Sequence, residues 1–286
     1  MVMRCILIPV GVGVDAKHRF DTAAKLSEKF NSHIEVMFIS PIPETYLAGL
    51  PDVAVAAGIT FDSIKVEIQD AAAASKTKLA SWCAANGMGF GPPAENLDTR
   101  FAIWTEETGD LESCVALAGR VNDLIIVDKP KIDETFSQRV FEAAVFSAGR
   151  PTLMVPEAVN GDPLRHVAIA WNGSLESARV IGQSIALLRK AGRVSIIQAP
   201  GPDEGNTELA DLSAYLRWHG IVAEIHDLRS VTDKSAGELI LDEAVRHDAS
   251  MLVMGAYTHS RLRQFLLGGV TQHVVTHARI PVLMTH

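Results

Sequence analysis

Cysteine is scarce in this chain: of 286 residues only Cys5, Cys83 and Cys114 carry a thiol. They are odd in number, widely spaced and form no Cys-x-x-Cys pair, so neither a disulfide framework nor a zinc ribbon is indicated and buried free thiols are expected. Long apolar runs are missing as well. No segment approaches the ~18 apolar residues of a membrane span, and the stretch Met1 to Val10 is too short in apolar residues for a signal peptide. A cytoplasmic protein with no membrane association is the expectation. Positive charge is in deficit, with a net charge of −8 and no Lys/Arg block, which argues against a nucleic-acid partner held by phosphate attraction. Catalytic signatures are absent too: there is no Gly-x-Ser-x-Gly elbow, no Walker Gly-x4-Gly-Lys-[Ser/Thr] and no His-Glu-x-x-His. No catalytic residue is nominated, and dedicated catalysis is unsupported.

What is present is an alternation of apolar runs with helical patterns along the whole chain, the signature of βα units in an α/β fold with a parallel sheet. The first half gives strands at Arg4 to Val10, Ile34 to Ser40, Phe101 to Thr105, Asp123 to Asp128 and Thr152 to Val155. The second half gives His166 to Trp171, Val194 to Gln198, Ala223 to Leu228, Ser250 to Met254 and Val282 to Thr285. The order is the same twice, and Gly149-Arg150-Pro151-Thr152-Leu153-Met154-Val155 matches Ala278-Arg279-Ile280-Pro281-Val282-Leu283-Met284. Pro156 to Pro163, rich in Pro, Gly, Asn and Asp, suits a linker, which predicts domains at 1–158 and 163–286. The halves differ in an insertion: Tyr46 to Gly58 is loop-like, and Ile59 to Asn86 keeps helical apolar spacing through Ile64, Ile68, Ala71, Leu79 and Trp82. Gly87 to Pro93 ends that helix.

The most informative stretch follows the apolar run Met251 to Met254: Gly255-Ala256-Tyr257-Thr258-His259-Ser260-Arg261 and on to Gly268-Gly269-Val270-Thr271. A glycine loop that leaves a parallel strand and opens a helix can hold an anion, because glycine allows close backbone approach and the helix start offers N–H groups and a favourable dipole. A nucleotide or other phosphate ligand is therefore the leading candidate. His259, Arg261 and Arg263 could complement phosphate charge beside a helix start, or form a solvated patch. Trp171 could wall a base-binding crevice by stacking or could pack the end of the sheet. Ser174 and Ser177 would most simply cap the next helix.

Strand, Gly-x2-Gly-x9-Gly-[Ser/Thr], helix and a final Pro-Val-Leu strand together resemble the universal stress protein family, over essentially the full length and in a tandem two-domain form. The resemblance implies two open five-stranded, mostly parallel sheets with helices on both faces, Rossmann-like, packed as an internal pseudo-dimer with their last strands close; association of two chains is left open. It implies an ATP site in the second domain, with Gly255 and Gly268 on the phosphates, Val270 and Thr271 continuing the pattern, and Ala170, Trp171, Asn172 and Met254 at the strand ends. Three positions depart. Asn172 stands where an acid is usual, Gly269 replaces Ser/Thr at a cost of about 0.5 to 1.5 kcal/mol for one hydroxyl bond, and Thr258 replaces the second glycine. If that position needs positive φ, a β-branched residue is strained by about 1 to 2 kcal/mol. The bland alternative is that Gly255, Gly268 and Gly269 only shape turns. After Asp128 no glycine loop follows, so the first domain is read as structural or regulatory, without ATP.

Two decoys remain. Gly11-Val12-Gly13-Val14-Asp15-Ala16 fits a dinucleotide fingerprint but has no acid at the end of the next strand, Phe38-Ile39-Ser40, so a plain turn is expected. His273 and His277 share a helix face with no evident third ligand, and no metal site is expected. The resulting expectation is a cytoplasmic binding or regulatory protein that takes ATP, with Mg²⁺, or another adenine nucleotide. The alternatives are a slow nucleotide hydrolase or phosphotransferase and a nucleotide-free module that uses the inserted helix to bind an unknown protein partner.

Overall fold

The structure is a computed structural model and describes residues 3–42, 60–92, 99–131, 134–159, 161–200, 209–231, 233–256 and 269–286. The first half runs β1 (Cys5–Val10), α1 (Lys17–Phe30), β2 (His33–Ser40), α2 (Phe61–Ala85), β3 (Gly89–Phe90), β4 (Phe101–Thr108), α3 (Leu111–Arg120), β5 (Leu124–Asp128), α4 (Thr135–Ser147) and β6 (Thr152–Val155). The second runs β7 (Val167–Ala170), α5 (Leu175–Leu188), β8 (Val194–Gln198), α6 (Leu209–Trp218), β9 (Ala223–Asp227), α7 (Ala236–Arg246), β10 (Met251–Gly255), α8 (Gly269–His277) and β11 (Val282–Thr285). The loop expected at Tyr46 to Gly58 lies outside the described residues.

The central strands are continuous apolar runs because both faces are covered. β6, β7 and β11 are buried at every position, as parallel strands between helical layers must be. One face of the sheet packs a core that includes Leu26 of α1, Ile64 of α2, Val180 of α5 and Leu212 of α6. The other packs Val115 of α3, Val140 of α4, Ile240 of α7 and Val274 of α8. Side chains start the helices where the sequence offers caps: Thr60 and Ser63 form a reciprocal capping box on α2, Ser235 and Glu238 one on α7, and Ser174 accepts from Ser177 N–H on α5.

The strand order is β3-β4-β2-β1-β5-β6-β11-β10-β7-β8-β9. Setting β3 aside, each half has the order third, second, first, fourth, fifth, and the repeat read from the sequence is present in space. The two five-stranded expectations meet in one continuous sheet, of 11 strands among the described residues, because β6 pairs with β11 antiparallel through Met154↔Val282, Leu153↔Leu283 and Thr152↔Met284. The last strands are thus hydrogen-bonded rather than merely close. The short edge strand β3 escapes a sequence reading, since a two-residue Gly-Phe strand shows no periodicity. β4 continues past Thr105 to Thr108 because β2 is there to pair with it, through Ile39↔Glu107 and Ser40↔Thr108. The inserted helix α2 docks along α1, where Trp82 Nε1 donates to Asp21 Oδ1 at 2.8 Å and the Phe20 and Trp82 rings lie 5.5 Å apart. Cys83, in the same last turns, is fully buried.

Candidate functional site

In an open parallel sheet the ligand crevice lies beyond the carboxyl ends of the strands, where neighbouring connections leave to opposite faces. In the second half that place is the end of β7, β8 and β10. Ala170 and Met254 bury their side chains in the core beneath α7 and α8, so toward a ligand they offer only main chain. Trp171 is 7% exposed and belongs to the opposite core, beneath α5 and α6. Its side chain packs at the end of the sheet. Its indole Nε1 is buried with no hydrogen-bond partner among the described residues, and the same holds for Gln198 Oε1 at the end of β8. Trp171 and Gln198 follow the register pair Ala170↔Ile197 and so project to the same face. A buried indole N–H and a buried amide oxygen left without partners are each costly, by about 1 to 3 kcal/mol. Sequence reasoning did not single out Gln198, the polar residue that closes β8.

Asn172 is exposed, and its Oδ1 accepts from Ser174 N–H at 3.2 Å, which tightens the turn into α5. Ser174 is the cap expected for that helix. The two described glycines differ. A Cβ at Gly255 would stand 2.5 Å from Ser177 N and 2.8 Å from the Glu176 carbonyl carbon, both backbone of the first turn of α5. Gly255 is therefore required by packing, because α5 lies flush against the end of β10. At Gly269 a Cβ would meet nothing within 4 Å among the described residues, and the backbone needs no positive φ. No described residue therefore demands glycine at that position. Val270 is half-buried and Thr271 buried, both facing the core beneath α8. Thr258, His259, Arg261, Arg263 and Gly268 lie outside the described residues.

The corresponding place in the first half is filled. β5 stands where β10 stands in the other copy, and it ends in Asp128 where β10 ends in Gly255. Asp128 Oδ2 is 3.0 Å from Arg19 Nη2, and Oδ1 is 2.7 Å from His18 Nε2. The Arg19 side chain is 1% exposed and donates from Nη1 to Pro9 O at 2.6 Å. Burial lowers the affinity of that guanidinium for its proton, and the neighbouring Asp128 carboxylate opposes the shift. Over the end of β1, a Cβ at Gly11 would meet the Phe136 ring at 2.5 Å. An internal cation, carboxylate and aromatic ring occupy the crevice, in agreement with the missing glycine loop. Gly11 belongs to a turn packed under Phe136, which accounts for the dinucleotide-like string without a dinucleotide.

His273 and His277 stack with ring centroids 4.2 Å apart, and His277 Nδ1 is 2.9 Å from His273 O. Among the described residues no third metal-ligating side chain joins them. No helix of the described residues is long and apolar enough to cross a membrane.

Comparison with known proteins agrees with this architecture. The universal stress protein family model matches residues 207–286. No curated protein matches the chain. The crystal structure of a universal stress protein from Archaeoglobus fulgidus DSM 4304 superposes with a TM-score of 0.74 at 17% identity, covering 99% of this chain and 96% of the other. A candidate universal stress protein from Pseudomonas aeruginosa UCBPP-PA14 gives 0.58 at 16% identity, over 99% and 93%. At such identities the likeness speaks for the fold, whereas the family model speaks for sequence. Residues 207–286 thus match the universal stress protein family in sequence, and the chain across both halves shares the fold of a solved universal stress protein.

Proposed function

We propose that this chain is a non-catalytic, universal-stress-type regulatory protein of the cytoplasm that binds one adenine nucleotide, ATP with Mg²⁺, at the carboxyl ends of β7, β8 and β10. The observation that carries the reading is the pair of orphaned polar atoms at that edge, Trp171 Nε1 and Gln198 Oε1. One donor and one acceptor projecting to the same face suit the edge of a purine, which offers both ring-nitrogen acceptors and an amino donor. The start of α8, opened by Gly269, is the helix N-terminus proposed to take the phosphates. The first half has its crevice filled by Arg19, Asp128 and Phe136 and serves as scaffold.

The test is isothermal titration of the whole chain with ATP and Mg²⁺. One nucleotide per chain is expected. Trp171→Phe and Gln198→Met, which keep most of the volume and remove one polar atom each, should weaken binding about threefold to tenfold, the equivalent of ~0.5 to 1.5 kcal/mol per lost hydrogen bond. Two nucleotides per chain would contradict the asymmetry. Absence of binding, or binding unaltered in both variants, would move the function to a nucleotide-free interaction module.

A further inference from the structure

At the outer edge of the second half, away from the strand ends discussed above, the structure brings together three side chains that neither the glycine loop nor the nucleotide reading uses. His226 lies on the edge strand β9, Glu243 in the last turns of α7, and His247 caps that helix four residues on. Glu243 Oε1 is 3.3 Å from His226 Nδ1 and 3.0 Å from His247 Nε2. The two imidazole rings are 4.0 Å apart between centroids, and one donor atom from each of the three residues falls within 4.8 Å of the others. The Glu243 side chain is 5% exposed.

A hydrogen-bonded triad without a cation leaves this arrangement incomplete. If His226 gives its Nδ1–H to Glu243, its Nε2 becomes an acceptor, and that atom is buried with no hydrogen-bond partner among the described residues. If Nδ1 instead lends its lone pair to a cation, Nε2 carries the proton and points it toward a carboxylate, Glu224 Oε2, 4.0 Å away. At that distance the carboxylate faces the N–H without a direct hydrogen bond, and a carboxylate on the far side of the ring is a common outer-shell neighbour of a metal-bound histidine. The spacings agree. Ligands at zinc bond lengths of ~2.0 to 2.2 Å in a tetrahedron stand about 3.4 Å from one another, close to the two carboxylate-to-imidazole distances here.

The surroundings are built to hold the three groups still. Arg246 Nη1 donates to Glu243 Oε2 at 2.6 Å, which leaves Oε1 as the ligating atom. The His247 carbonyl lies 2.8 Å from His166 Nδ1, and His166 Nε2 is 3.0 Å from Ser195 Oγ, so the end of α7 is fixed to β8. Two imidazoles and one carboxylate form a borderline-soft set that suits zinc and leaves a fourth position for water.

We propose that His226, Glu243 and His247 form a binding site for one zinc-class divalent cation. His226 Nδ1, Glu243 Oε1 and His247 Nε2 are the ligands, with Glu224 and Arg246 in the outer shell. The site is independent of the nucleotide reading and stands or falls separately from it.

Full-length, tag-free protein stripped with chelator and titrated with Zn²⁺ against a chromophoric competitor should bind one ion per chain, and Co²⁺ in its place should give the visible d–d bands of a tetrahedral centre. His226→Asn and His247→Gln should each weaken binding at least tenfold and abolish the Co²⁺ bands. The double substitution His273→Gln with His277→Gln, which removes the other histidine pair, should change neither. If His226→Asn does not fold, His247→Gln decides alone, since that side chain is 30% exposed at a helix end. Zinc affinity unaltered by His247→Gln, no Co²⁺ bands in the unsubstituted protein, or loss of the ion with the His273 and His277 substitutions would overturn the proposal.

Discussion

Gly255 and Gly269 look alike in the sequence, both bracketing the same loop, yet opposite responses to alanine are expected of them. At Gly255 the new methyl would lie 2.5 Å from Ser177 N and 2.8 Å from the Glu176 carbonyl carbon. Ordinary contact begins near 3.4 Å, so α5 must retreat by about 0.9 Å, and the obstructing atoms are backbone, which cannot rotate aside. Retreat loosens Val180, Ile181 and Leu187 of α5 from the core and strains the Ser174 cap. Overpacking of this kind costs about 1 to 3 kcal/mol. At roughly 2 to 4 °C per kcal/mol for a chain of this size, Gly255→Ala should melt ~2 to 12 °C lower. Gly269→Ala meets no described atom within 4 Å at the start of α8, and the restricted unfolded chain should make it neutral or more stable by about 0.4 to 1 kcal/mol. Thermal and urea denaturation of the nucleotide-free protein decide the matter, with an unchanged urea m-value showing that a shifted midpoint is a change in stability. If Gly255→Ala melts with the parent, or Gly269→Ala melts below Gly255→Ala, the packing argument is wrong and Gly255 is reserved for a ligand.

The first half yields its own test: Asp128→Asn leaves the Arg19 guanidinium buried without its carboxylate and should cost about 3 to 5 kcal/mol by urea denaturation, whereas Arg19→Met with Asp128→Leu should recover most of it; equal losses in both would remove the case for a filled crevice. The Cys83 thiol is pushed up to about 11 by burial and is fully enclosed, so it should resist a thiol reagent at pH 8 until the protein unfolds, and labelling of Cys83 in the native protein would contradict the docking of α2. Because the folded thiol keeps its proton above the ordinary value of 9.0 and the unfolded one does not, the native state binds more protons between about pH 9 and 11, and this contribution to stability is lost as pH rises through that window. ATP turnover should stay far below the ordinary enzyme range of roughly 1 to 1000 per second, since no positioned base or phosphate-clamping lysine is found among the described residues; steady-state phosphate release within that range would favour the hydrolase alternative.

The fold is legible in the sequence because its signals are redundant. Most central strands of the sheet are apolar runs, most are followed by a helical pattern, and the pair Thr152-Leu153-Met154-Val155 and Val282-Leu283-Met284-Thr285 marks a repeat by composition alone. Joining of the sheets is less visible. Strands β6 and β11 are apolar on both faces whether they end a sheet or sit at its centre, so periodicity does not distinguish an edge from a junction. The two-residue strand β3 has no pattern to show.

The chemistry-bearing groups are harder to read because they depend on proximity across the sheet. Arg19 and Asp128 are 109 residues apart and meet only because β1 and β5 are neighbours. His226 reaches Glu243 and His247 from another element, while the easily noticed pair at the same helical spacing, His273 and His277, gains no third partner among the described residues. Helical spacing identifies which side chains share a face; the strand order decides what that face meets. The same distinction separates the two glycine strings. Gly11 sits in a nucleotide-like string and lies under Phe136, whereas Gly255 lies under α5. Both glycines answer first to close packing at the end of a strand, a demand that any doubly covered parallel sheet makes where a helix starts directly above it. What separates the halves is what stands beside that glycine turn: a buried ion pair lies there in the first half, whereas in the second an indole N–H and an amide oxygen have no hydrogen-bond partner among the described residues.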